Sequence, residues 1–178
     1  MIVLGIDPSL ECGLALIDDS HPHLIASTCI KPGTDVAKDD RLAWITSTVE
    51  KWLWYGSKRV GPDLIAIETP SVGRLRASPL QWRLVGQLER AFAHRPVCFV
   101  SPGQAKQAVG LKYHDKQKPV AEVEALVGIK PLSDVKYARE AVADAIAVAI
   151  AGANLWRDNL QNKQNAESEQ NAVSKRAT

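Results

Sequence analysis

Apolar residues recur along this chain with two different periods, and the switches between them mark out the elements. Ile2–Ile6 is a β-branched-rich run that breaks at Asp7, Pro8 and Ser9. Gly13–Ile17 resumes a strand, Asp18, Asp19 and Ser20 supply turn chemistry, and Leu24–Ile30 reads as a third strand, so the opening predicts an antiparallel meander. From Asp39 to Tyr55, Leu42, Ile45, Val49, Trp52 and Leu53 fall at helical spacing. Leu64–Ile67 is a short, fully apolar run of the kind buried in the middle of a sheet, and it ends at Glu68, Thr69 and Pro70. Ser71–Pro79 is polar, glycine-containing and basic, which predicts a loop. Leu80–Ala93 is helical, Val97–Val100 is a strand, and Pro102–Val109, Lys116–Val127 and Tyr137–Leu155 are helices. This order predicts an α/β layer with one central sheet, in which the first, fourth and fifth strands are parallel and buried.

Beyond Asp158 the residues turn to Asn, Gln, Ser, Glu and Lys, too polar to bury a packed face. The expected organisation is therefore one domain over residues 1–157 and a disordered tail over 158–178. A chain of 178 residues is long enough for such a domain to hold a real core. The 22 basic and 20 acidic residues leave a net charge of +2, which excludes a polybasic binder and requires any phosphate-binding surface to be local. The longest apolar stretch, Ala141–Ala153, is interrupted by Asp144 and is too short to span a bilayer, so no membrane association is expected. The first residues lack the features of a signal peptide, which makes the cytoplasm the default location. Three scattered cysteines, Cys12, Cys29 and Cys98, have no metal-ligand spacing and read as reduced, buried thiols.

Candidate chemistry lies where carboxylates meet apolar structure. Asp7 ends one apolar strand, Glu68 ends another, and Asp144 stands between Ala143 and Ala145 in the most apolar helix. Each has a plain explanation alone: turn chemistry before Pro8, pairing of Glu68 with Arg41 or Arg83, or backbone bonding by Asp144. Together they favour another account. Sites in open α/β sheets form beyond the carboxyl ends of parallel strands, and a helix packed there would add Asp144 to Asp7 and Glu68. Converging carboxylates repel unless a cation neutralises them, and oxygen-only ligands suit Mg²⁺, with Mn²⁺ as substitute. Such a site can activate water for phosphodiester cleavage.

Four blocks in order then carry a resemblance. Gly5–Ile17 resembles the opening hairpin of the RuvC-type Holliday junction resolvases, of the RNase H-like superfamily. Pro62–Glu68 is similar to that family's second acidic strand, Ser101–Lys116 to the segment after its fifth strand, and Ala143–Ile150 to its final acidic helix. The resemblance implies an RNase H-like mixed five-stranded sheet flanked by helices, a homodimer, and paired nicks in branched DNA such as four-way junctions. It implies that Asp7, Glu68 and Asp144 are the metal-binding acids, and that Lys106 and Lys116 face DNA, Lys116 in a catalytic role.

The chain departs from the family pattern in two places. A fourth acidic or histidine ligand is usual three residues before the last aspartate, and Ala141 stands there. Glu140, four residues before Asp144 and on nearly the same helix face, is the candidate replacement as catalytic and metal-binding acid, unless it is an exposed acid paired with Lys136. The family's aromatic beyond the second acid is also missing, for Thr69, Pro70 and Ser71 follow Glu68. Arg74 and Arg76 are candidate phosphate contacts, while Trp82 suits either base stacking or, more plainly, the inner face of its helix. Other readings are a sugar kinase or actin-like ATPase, which would need two such domains, a non-catalytic DNA-binding module, and a nuclease acting on RNA.

Overall fold

Residue parity along the two central strands decides which side chains reach which face. The computed structural model describes residues 1–20, 23–55, 61–70, 79–112, 118–130 and 132–176. Five strands, β1 (Ile2–Asp7), β2 (Cys12–Asp18), β3 (His23–Ile30), β4 (Leu64–Glu68) and β5 (Val97–Val100), form one sheet in the order β3-β2-β1-β4-β5. β1, β2 and β3 are an antiparallel meander, and β4 and β5 add parallel to β1 on the other side. This is the mixed five-stranded sheet the sequence predicts. The helices are α1 (Arg41–Tyr55), α2 (Pro79–Ala91), α3 (Pro102–Ala108), α4 (Val120–Val127) and α5 (Lys136–Arg176).

Two cores lie on opposite faces. Leu4, Ile6, Leu14, Leu16, Ile65 and Ile67 meet Ile45 and Val49 of α1 and Leu84 and Leu88 of α2. Val3, Ala15, Ile17, Leu64 and Ala66 meet the alanine- and valine-rich stretch of α5, with Ala105 of α3 and Val123 of α4. Fully burying each large aliphatic side chain contributes about 1.5–3 kcal/mol. On the second face the contact is between backbones. A Cβ on Gly5 would overlap the carbonyl oxygen of Ala145, and one on Gly13 would overlap that of Ala141. Only glycine lets α5 lie this close to β1 and β2.

Two expectations change. β5 is parallel but only its last residue, Val100, is buried: it is the sheet's edge, and Phe99 is 41% exposed. Of the cysteines, all free, only Cys12 is buried, because Cys29 and Cys98 lie on the two edge strands. α5 runs on through the polar residues from 158 to Arg176. Helix hydrogen bonds are local and need no tertiary partner, so polar residues can prolong a helix that the domain has nucleated. The side chains of 157–168 are accordingly exposed. Among the described residues, no helix is long and apolar enough to cross a membrane.

Candidate active site

Asp7 continues the parity of Val3 and Gly5, and Glu68 that of Leu64 and Ala66, so both carboxylates project from the ends of adjacent parallel strands onto the α5 face. β1 and β4 are in register up to the Ile6–Ile67 pair, which puts Asp7 and Glu68 side by side. Their side chains share a hydrogen bond. Asp144 comes from α5, held over the sheet by Gly5 and Gly13. Thr69 N–H bonds the Val100 carbonyl at 2.8 Å and fixes the chain leaving Glu68. The three acids line a cavity of about 350 Å³ together with Lys106 and Lys118. Neither Arg41 nor Arg83 forms an ion pair with Glu68 among the described residues.

Lys106 arrives on α3, whose start is well specified. Ser101 and Gln104 form a reciprocal capping box and Pro102 begins the first turn, so the helix rises directly from the end of β5. Lys118 was not among the residues the sequence singled out. It precedes the Pro119 cap of α4, and its ammonium pairs with Asp144 Oδ2. Lys116, expected here, lies outside the described residues, as do Arg74 and Arg76. The signal for Lys118 was present but ambiguous, since the helix expected from Lys116 to Val127 begins only at Val120 and two lysines flank its start.

Electrostatics follow from the burial. Desolvation first, then the Asp144 charge, pushes the Asp7 carboxyl up to about 7. Desolvation, with the charges of Asp7 and Asp144, pushes Glu68 up to about 9. Asp144 is also raised by burial, although Lys118 opposes the shift. Burial works to lower Lys118, but the Asp144 charge and hydrogen bond outweigh it and the ammonium is held more firmly protonated. Glu140 adds its charge to Asp144 and lines an adjoining cavity of about 110 Å³ with Asp7, Glu11, Lys118, Tyr137 and Asp144. Ala141, where the family pattern has an acid, is buried with its carbonyl close over Gly13.

No three His, Cys, Asp or Glu side chains among the described residues stand as a ready-made metal cage. The Asp7 and Glu68 side chains hydrogen-bond each other, and Asp144 pairs with Lys118. The donor set nonetheless fits a hard divalent cation. It offers only carboxylate oxygens, and these are crowded enough to disfavour their own ionisation until a positive charge arrives. A slightly larger cavity of about 400 Å³ lies at the amino ends of the parallel strands, between Trp54, Tyr55, Pro62, Phe92 and Arg95, with Glu50 its single carboxylate. Trp82, whose plainer expectation was the core, is 46% exposed on α2.

A family model described as crossover junction endodeoxyribonuclease RuvC matches residues 3–152. Among solved structures, a Thermus thermophilus RuvC structure is 24% identical with a TM-score of 0.69, covering 89% of this chain and 97% of that one. T. thermophilus RuvC in complex with a Holliday junction substrate gives the same identity and TM-score over 88% and 95%. The yeast mitochondrial Holliday junction resolvase Ydc2 is 17% identical with a TM-score of 0.59 over 94% and 83%. No curated protein matches the sequence. At these identities the structural likeness establishes the RNase H-like fold alone. The family match goes further, running from β1 into α5 and across all three carboxylates, and by it this chain belongs to the RuvC family of crossover junction endodeoxyribonucleases.

Proposed function

We propose that this protein resolves four-way (Holliday) or similarly branched DNA junctions by hydrolysing phosphodiester bonds at the Asp7, Glu68 and Asp144 centre. The observation that carries the reading is the meeting of these carboxylates, from two parallel strands and one closely packed helix, with a lysine inside one cavity. Asp7, Glu68 and Asp144 would hold Mg²⁺, or Mn²⁺ in its place, with Glu140 supplying the acid that Ala141 lacks. The bound cation supplies charge neutralisation and a more acidic water. Lys118 Nζ, firmly protonated beside Asp144, is placed to balance charge developing on a phosphate oxygen at the cavity. Lys106 on α3 holds the neighbouring backbone phosphate, and Lys116, Arg74 and Arg76 extend that basic contact.

Two symmetric nicks require two such centres, so the working form in this proposal is a homodimer acting in the cytoplasm. The exposed Leu80 and Trp82 of α2 are apolar surface available to a second copy. The test is incubation with a synthetic four-way junction, a fork and a linear duplex, with and without Mg²⁺. Symmetric, Mg²⁺-dependent nicks in the junction are expected. Folded protein that binds junctions but cuts no substrate would overturn the catalytic reading and leave a DNA-binding module.

A further inference from the structure

Glu124 is the one polar or charged residue buried in the core among the described residues, at 3% exposure. Its carboxylate accepts hydrogen bonds from Arg139 Nε at 2.5 Å, Arg139 Nη2 at 2.6 Å and the Leu132 backbone N–H at 3.0 Å. The two guanidinium bonds form a planar fork, the geometry that arginine has and lysine lacks. They hold the Glu124 carboxyl below its usual range, with Leu132 assisting against the effect of burial. One side chain thus ties together α4, the connection after it and α5.

The same helix pair carries a second polar contact. Lys118, immediately before the Pro119 cap of α4, pairs with Asp144 of α5. Position 118 precedes 124 by six residues, and position 139 precedes 144 by five. Arg139 and Asp144 are one and a half turns apart on α5, roughly 7.5 Å at about 1.5 Å per residue, while Lys118 stands just outside the first turn of α4. The two contacts run in opposite order along the two segments, as an antiparallel packing of α4 on α5 requires. Between them the packing is by small apolar groups, chiefly Val123. Such packing is weakly directional, and a slip of one turn would carry Lys118 about 5 Å away from Asp144. With Glu124 buried and the Arg139 side chain a third exposed, the pair adds little net stability, so stability alone gives poor reason for it.

We infer that the Glu124–Arg139 pair is a positioning clamp that fixes the register of α4 on α5 and so keeps Lys118 Nζ at Asp144. Its consequence for catalysis rests on the active-site reading above; its consequence for Lys118 does not. Neither clamp residue touches the reacting atoms.

The decisive variant is Glu124→Leu with Arg139→Met, which replaces the pair by apolar groups of similar volume. It should fold, with a Tm lowered by a few degrees because the Leu132 N–H loses its acceptor. Its kcat on a four-way junction should fall by about 10- to 100-fold while KM and junction affinity stay within about twofold, the pattern of a misplaced group rather than a lost binding surface. In metal-free protein with reductively ¹³C-methylated lysines, the Lys118 resonance, assigned with Lys118→Arg, should move to the position of solvated lysines. Unchanged kcat and an unchanged Lys118 resonance in the folded double variant would overturn the clamp. Should that variant unfold, Glu124→Gln is measured in its place, and a native Lys118 resonance in it would equally overturn the clamp. Wild-type protein that cuts nothing would instead overturn the active-site reading, because the Lys118 resonance reports on the clamp without any cleavage.

Discussion

The two faces of the sheet are built on opposite plans. The α1–α2 face is filled with large aliphatic groups, Leu4, Ile6, Leu14, Leu16, Ile65 and Ile67 against Ile45, Leu84 and Leu88, and every one of these is essentially fully buried. The α5 face holds Val3, Ile17 and Leu64 too, but where α5 comes closest Gly5, Gly13, Ala15 and Ala66 stand on the sheet and Ala141, Ala145 and Ala149 on the helix. Large side chains bury more area for each contact and keep the helices a full side-chain layer away. Small ones give up part of that area and let a helix backbone rest on the sheet. The first face supplies stability, while the second sets distance, and distance is what brings Asp144 on a helix to Asp7 and Glu68 on strands.

That division can be broken from either side. Leu88→Ala on the large face should cost about 2–5 kcal/mol of stability by deleting buried methyl groups. Its kcat for folded protein should remain unchanged, as chemical denaturation and single-turnover cleavage on the same sample would check. Gly5→Ala adds only one methyl group but drives it into the Ala145 carbonyl. It should cost about 3 kcal/mol or more and also lose most cleavage, because relief comes from lifting α5 and with it Asp144. Equal activity losses in the two variants, compared at matched folded fraction, would show that the faces are not specialised.

The site also sets a pH dependence of stability. Asp7 and Glu68 have folded-state values of about 7 and about 9, both raised above those of the unfolded chain. The folded protein therefore binds these protons more tightly than the unfolded chain does. The stability they contribute is fully present below about pH 4 and is lost as pH rises through about 7 and then 9. With EDTA present, Tm should fall by several degrees between pH 5 and 9. Mg²⁺ should raise Tm most at the alkaline end, and Glu68→Gln should flatten the profile. The smallest effect belongs to the distal half of α5. Its described side chains from 157 to 168 are exposed, so ending the chain after Gln161 should leave Tm within about 1 °C of the full-length value.

Much of this was legible before any coordinates. The runs Ile2–Ile6 and Leu64–Ile67 each end in an acid, and Asp144 interrupts an otherwise apolar helix. Such features depend on local period and composition, which the chain carries residue by residue. Lys118, the Glu124–Arg139 pair and the exposure of β5 were not legible, because each depends on which distant segment lies alongside. Trp82 could be placed inside or outside by helical spacing alone, and packing chose outside. The length of α5 escaped for a different reason: a polar sequence says whether a segment can bury a face, and continuing a helix does not require that it should.

By itself, then, the sequence determined the strand and helix order, the three carboxylates and the chain's kinship with junction endonucleases, since these rest on pattern and on aligned motif blocks. The tertiary structure decided which lysine faces Asp144 and what holds it there. It also decided how near α5 lies to the sheet. Those are matters of how segments far apart in sequence lie against one another, through glycine contacts and ion pairs whose partners no local pattern could have joined.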